Sequence, residues 1–274
     1  MLAEGQLRKM VTTHADTVEY VLPLGEERVE MVPLLGQRLR LEYQGSIHCI
    51  HCNRITRKSF NQGYCYPCFQ RLAACDSCIV SPEKCHFDAG TCREPEWGED
   101  NCMIDHVVYL ANTSTLKIGI TRHSQVPTRW MDQGAVQALP IFRVKTRYQS
   151  GLVETAFKGH VSDRTAWQTM LKGQVEELDM PAQRDRLYEA TSAAIDELQQ
   201  RFGLQSITPL QEQEEYQFNY PVVEYPTKVT SLNLDKTPVI EGTLMGIKGQ
   251  YLMFDTGVIN MRKYGGYQLA LLAA

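Results

Sequence analysis

No run of apolar residues in this 274-residue chain approaches the roughly 20 that a helix needs to cross a bilayer. Charges interrupt every candidate stretch within a few positions, so no membrane partner is expected. The opening Met1-Leu2-Ala3-Glu4-Gly5-Gln6 lacks a basic segment followed by an apolar one, so no export signal is expected either. Excess positive charge is missing: the net charge is −4, which argues against a protein that coats nucleic acid non-specifically. No long internal repeat and no low-complexity tract is present, which sets solenoids and disordered linkers aside.

Cysteine is what the chain has in quantity, with nine residues. Without an export signal they point to a reducing, cytoplasmic compartment, where paired cysteines hold metal more often than they form disulfides. The length suffices to bury a real core, so metal is not needed merely to offset small size. Cys49-x2-Cys52 and Cys65-x2-Cys68 form two pairs, each able to wrap one side of a tetrahedral ion. Zinc takes four thiolates at about 2.3 Å, and a two-residue spacer lets both sulfurs of a pair reach it without strain. A structural zinc is therefore expected at Cys49, Cys52, Cys65 and Cys68. The second set is Cys75, Cys78, Cys85, Cys92 and Cys102, with His86 and His106 nearby. Five cysteines cannot all serve one tetrahedral ion. Cys75, Cys78 and two of the other three are expected to bind a second metal, either zinc or an iron–sulfur cluster.

Hydrophobic patterning divides the chain into four parts. Residues 1–46 read as a β-rich segment, in which Val18, Tyr20 and Leu22, then Leu39, Leu41 and Tyr43, alternate with more polar neighbours. Residues 47–104 hold all the cysteines and show little periodicity. From 105 to 203 the pattern becomes strand, turn, strand (Val107–Leu110 and Leu116–Ile120), a helix carrying Arg129 and Trp130, and a third strand. On that strand Phe142, Val144, Thr146 and Tyr148 are expected on one face and Arg143, Lys145 and Arg147 on the other, before a helix capped by Ser150. A long amphipathic helix is expected over about 181–202, with Leu187, Ala190, Ala194, Ile195 and Leu198 as its apolar stripe. Residues 204–274 open with an acidic linker and read as a β-rich domain.

Charge is unevenly spread along these parts. Between His106 and Lys172 nine Lys and Arg face three acids, whereas between Gly173 and Glu215 three bases face ten acids. Such a boundary is what a local phosphate-binding surface produces. Arg122, Arg143, Lys145 and Arg147 are the candidates to track the phosphates of DNA or RNA.

Within the same block, Tyr109 sits on the first strand, Lys117 and Gly119 on the second, Arg129 on the next helix and Glu154 on the helix after that. A tyrosine, a lysine, an arginine for phosphate and one carboxylate for a divalent cation suffice for phosphodiester hydrolysis. Val107-Val108-Tyr109, then Lys117-Ile118-Gly119 with Thr121 just after it, followed by Arg129 and Glu154, resembles the GIY-YIG nuclease superfamily over about a third of the chain. Lys117 stands where that family usually has its second tyrosine, as in a subgroup that reads Lys-Ile-Gly, and no late Asn or His of the kind some members use can be placed. The resemblance implies an α+β fold, with a small three-stranded sheet and flanking helices behind a zinc-ribbon module. It carries over Arg129 as the phosphate-binding arginine and Glu154 as the ligand to Mg²⁺ or Mn²⁺. Tyr109, assisted by Lys117, becomes the base in an endonuclease-like reaction. A degenerate copy of the site would instead leave a non-catalytic zinc-containing module that binds nucleic acid. The wider layout, including Val108-Tyr109-Leu110-Ala111-Asn112 and Pro127-Thr128-Arg129-Trp130-Met131-Asp132-Gln133-Gly134, also looks like a bacterial family of unknown function.

Overall fold

In the Arg38–His48 strand, Leu39 and Leu41 turn inward while Arg38 and Arg40 take the wetter face, the period-2 pattern of a half-buried strand. The computed structural model describes residues 1–274 and is of the α+β class. It places this strand in the middle of an antiparallel sheet of seven strands. The order runs Ala3–Gln6, Tyr267–Ala273, Arg38–His48, Val239–Lys248, Tyr251–Phe254 and Gly257–Asn260, and Ile55–Thr56 pairs with Arg38–His48 off that path. Leu41 lies opposite Ile240 on one side and Leu271 on the other. The β-rich segments read from the sequence as separate, 1–46 and 204–274, thus share one sheet. Local patterning carries no sign of partners this distant in the chain. A smaller sheet of Val11–Thr13, Glu19–Leu24 and Glu27–Glu30 adds Tyr20, Leu22 and Leu24 to the same core.

His106–Asn112 is buried at all seven positions and is the inner strand of the next sheet. Its order is Ile207–Pro209, Gln137–Val144, His106–Asn112 and Leu116–Arg122, with Tyr216–Gln217 also joined to Gln137–Val144. Val107, Tyr109 and Ala111 pack into the core shared with the large sheet. Val108 and Leu110 pack into a second core with the helices Arg147–Phe157 and Met180–Phe202. Burial on both faces is why this strand reads as an unbroken apolar run.

The third strand stops earlier than its alternation implies. It ends at Val144, and Thr146 caps the Arg147–Phe157 helix. The Thr146 hydroxyl accepts from Gln149 N at 3.2 Å, and Gln149 Oε1 accepts from Thr146 N at 3.1 Å. This capping box satisfies the orphan amides of the first turn, so Thr146 rather than Ser150 begins the helix. The Met180–Phe202 helix starts at Asp179, whose carboxylate accepts from Ala182 N at 2.9 Å, and stops at Gly203 with φ +92°. No helix is long and apolar enough to cross a membrane.

Candidate functional site

The Arg38–His48 strand runs directly into the first cysteine pair. Ile50 N donates to Gly63 O at 2.8 Å, folding Cys65 and Cys68 back onto Cys49 and Cys52. Gly63 has φ +145°, and a Cβ there would stand 2.7 Å from the Ile50 side chain, so the turn requires glycine. The four thiols lie within 4.8 Å of one another, with Cys52 Sγ 3.7 Å from Cys65 Sγ. Sulfurs of a tetrahedral zinc with bonds of about 2.3 Å are ~3.8 Å apart, so the spacing fits the ion. Burial pushes the Cys49 thiol up. Backbone N–H groups of Cys52, Cys65 and His51 more than offset this and bring it down to about 6. Donors aimed at sulfur stabilise the thiolate that a metal takes. This four-cysteine group is able to hold a metal ion such as zinc.

The second set divides differently from the expectation. Cys75 packs with Cys49, Cys65, Cys68 and Leu72 at the edge of the first centre. Cys78, Cys85, Cys92 and Cys102 instead line one small cavity together with Asp76, His86, Phe87 and Trp97. The turns at Ala73–Cys75 and Ser77–Ile79 thus set the two cysteines of this Cys-x2-Cys in different surroundings. Burial and the neighbouring Asp76, Cys85 and Cys102 push the Cys78 thiol up to about 11. Of the residues lining the cavity, Asp76, Cys78 and His86 are the ones that bring ligand atoms within 4.8 Å of one another and could hold a metal. Asp76 is engaged elsewhere, however: it accepts from Arg93 at 2.7 Å and from Ser77 N at 2.6 Å.

The residues singled out for chemistry meet at the edge strand Leu116–Arg122. Antiparallel pairing sets Tyr109 opposite Gly119 and Ala111 opposite Lys117, so all four share one face. A Cβ on Gly119 would lie 2.7 Å from the Tyr109 hydroxyl, so only glycine lets the ring cross there. Tyr109 is fully buried, and its hydroxyl donates to Gln133 Oε1 at 2.9 Å. Burial raises its pKa, only partly opposed by the Arg129 guanidinium beside it, so the phenol stays protonated at neutral pH. Lys117 is 3% exposed and makes no hydrogen bond or ion pair. Burial and then Arg129 lower its ammonium to about 8, with Glu154 and Asp163 pulling the other way. Arg129 makes no ion pair. Asp132, three residues on, is held instead by Lys9 and by Gln250 Nε2. Glu154 has a side chain 12% exposed and faces Lys158 Nζ at 3.7 Å. Its carboxyl is raised by burial; Lys158 opposes that rise, while Asp163 and Glu83 add to it.

The four candidate phosphate trackers do not form one stripe. Arg143 and Lys145 flank Asp105 at 3.9 and 3.1 Å on the exposed side. Arg122 binds Asn101 Oδ1. Arg147, in the first turn of the capped helix, points inward and donates to Ile79 O, so the expected alternation with Arg143 and Lys145 is broken. Burial depresses both Arg147 and Arg262 of the Met261–Tyr264 turn; Arg129 adds to each shift and Arg122 adds to that of Arg147. The positive field thus gathers around Arg129.

Three further charged residues at this place escaped the sequence reading: Glu83, Asp163 and Arg262. Ile118 N donates to Ser162 O at 2.8 Å, which folds the 158–164 loop over the edge strand and brings Asp163 to Lys117. An open groove of about 920 Å³ starts at Leu116 and Ser162, neighbours of Lys117 and Asp163, and runs past Asn112, His160, Gln183 and Arg186.

No curated protein and no solved structure matches this chain. One protein family does match, over residues 36–269, which is most of the sequence and takes in both cysteine sets and the Tyr109–Glu154 cluster. The chain belongs to that family, described as Protein of unknown function (DUF2797).

Proposed function

We propose that the protein is a zinc-containing, metal-dependent phosphodiesterase of the GIY-YIG type that acts on DNA or RNA. The observation that carries this reading is the meeting of Tyr109, Lys117, Arg129 and Glu154 at one sheet edge, with a buried and unpartnered lysine among them. The order strand, strand, helix, strand, helix and the antiparallel hairpin support it. Arg129, free of ion pairs, holds the scissile phosphate. Glu154 is the ligand for Mg²⁺ or Mn²⁺, which when bound stabilises charge on the reacting phosphate. Tyr109 is too buried to be the base; its hydroxyl fixes Gln133 beside Arg129. Lys117 takes the proton of the attacking water, since an amine with a pKa near 8 is partly neutral at physiological pH. Arg143 and Lys145 contact flanking phosphates.

Cleavage of labelled DNA and RNA in Mg²⁺ or Mn²⁺ tests the reading. The rate should climb with pH and level off above about 8, as the Lys117 amine loses its proton. Lys117→Met should lose both the activity and that limb of the profile. The folded pKa lies below the unfolded one, so burial of the charge destabilises the protein fully below about 8 and fades as pH rises toward 10.5. Lys117→Met is therefore expected to melt several degrees higher at pH 7, with the gain shrinking at pH 10. A flat wild-type profile, or a less stable variant, would remove Lys117 from the reaction. If no substrate is cut but binding persists, the protein is a nucleic-acid-binding module.

Two zinc ions complete the reading, the second held by Cys78, Cys85, Cys92 and Cys102. Native mass spectrometry should show two zinc ions per chain and two in Cys75→Ser. One should remain in Cys78→Ser, Cys85→Ser, Cys92→Ser or Cys102→Ser. Visible absorbance would place an iron–sulfur cluster at the second set, and loss of an ion from Cys75→Ser would refute this ligand set.

A further inference from the structure

We propose that Glu83, carried by the cysteine-rich module, is a second carboxylate ligand of the divalent-cation site at Glu154. This rests on the phosphodiesterase reading only in placing a cation at Glu154. The two residues are brought together by a close backbone contact. The short turn Pro82–Lys84 packs on the Arg147–Phe157 helix at Gly151, where a Cβ would stand 2.4 Å from Glu83 N. Only glycine admits that approach. Glu154 lies three residues further along the same helix, on the neighbouring turn of the same face. The Glu83 side chain therefore emerges next to the Glu154 carboxylate, and each carboxylate is felt by Lys158.

One unmet polar group points to a missing ligand. Glu83 Oε2 is buried and has no hydrogen-bond partner. Buried polar groups without partners are rare in folded proteins and call for an explanation such as an ion. The Lys158 ammonium, 3.7 Å from Glu154 and 3.3 Å from Asp163, supplies the positive charge the carboxylates otherwise lack. Oxygen ligands select a hard divalent cation, and Mg²⁺ is ordinarily held by one or two carboxylates with water and substrate phosphate completing its shell. The turn has firm backing from the second cysteine set, because Arg147 ties the helix to Ile79 O, and its backbone N–H to Cys102 O at 2.7 Å. The cysteine module would thus complete the reaction site rather than only recognise substrate.

The test uses the full zinc-loaded chain and Mn²⁺ as the probe, with free Mn²⁺ followed by electron paramagnetic resonance. Wild type should bind one Mn²⁺ that Mg²⁺ displaces. Glu83→Gln should weaken that binding at least ~10-fold, the scale on which even indirect partners of a metal act, and Glu83→Gln with Glu154→Gln should remove it. Gln keeps the volume, and the contact with Gly151 uses the Glu83 backbone, so zinc content and the circular dichroism melt should match wild type. Equal Mn²⁺ affinity in wild type and Glu83→Gln, with cleavage intact, overturns the proposal and leaves the phosphodiesterase reading standing. Mn²⁺ binding that depends on Glu83 in a protein that cuts nothing supports the carboxylate pair and defeats the phosphodiesterase. No Mn²⁺ bound by wild type overturns the pair.

Discussion

Glu154→Gln is expected to cut slower than wild type by about 10²–10³-fold, the usual effect of removing one electrostatic stabiliser of the transition state. Folding and nucleic-acid binding should stay near wild type. Gln fills the same volume in a site where the carboxylate is 12% exposed, so packing survives. The i,i+4 pair with Lys158 is lost, but such pairs stabilise helices by only ~0.3–0.5 kcal/mol and cannot account for an inactive enzyme. Burial already raises the Glu154 pKa, so its charged form is less favoured there than in water. A divalent cation reverses that balance. Arg129→Ala should match the loss of rate and also weaken binding, because a phosphate contact exists in the ground state as well. Single-turnover cleavage and a binding isotherm separate the two variants. Equal cleavage by wild type and Glu154→Gln would end the assignment of this site.

The second large effect is expected from Cys49→Ser, which should lose one zinc and fold poorly or aggregate. Zinc bound by a preformed thiolate site contributes roughly 10–16 kcal/mol in small zinc domains. Whole domains have a net stability of only about 5–15 kcal/mol, so even a fraction of the zinc term decides whether this region is folded. The damage should spread into the large sheet. His48 N donates to Gly266 O at 2.7 Å and Arg8 Nη1 to Ile50 O at 2.8 Å, so the centre is tied to residues flanking the strands Tyr267–Ala273 and Ala3–Gln6 of that sheet. A thermal melt by circular dichroism, with and without a zinc chelator, checks the point. Wild-type stability with one zinc fewer would show that the centre is dispensable.

The sequence announced the first centre because a metal demands particular residue types at particular short spacings. Cys49, Cys52, Cys65 and Cys68 meet that demand, and the structure brings them within 4.8 Å. At Cys75 the spacing says less, because the turn at Ala73–Cys75 leaves it packed with Cys49, Cys65 and Cys68. The hairpin was legible from apolar runs separated by turn residues. The end of the third strand was not. Thr146 and Gln149 form a capping signature that is present in the sequence, yet the alternation of Phe142, Val144 and Thr146 with Arg143 and Lys145 competes with it, and the capping box wins. Glu83, Asp163 and Arg262 had no local mark at all. Each reaches the Arg129–Glu154 cluster from a different turn or loop, and only tertiary packing puts them there.

The strand Arg38–His48 has a consequence for how the chain is made. It leaves the ribosome well before its two long neighbours in the sheet, Val239–Lys248 and Tyr267–Ala273, which lie far along the chain. The cysteine centres and the Tyr109–Glu154 block can organise from nearby residues while this strand still waits, with both hydrogen-bonding edges open. Contacts so distant in sequence close slowly, and an unpaired strand bearing Leu39 and Leu41 is an aggregation hazard for as long as it waits. Chains cut short before residue 239 would keep every residue of the candidate reaction site except Arg262, and still lack the partners that let the rest of the protein fold around it.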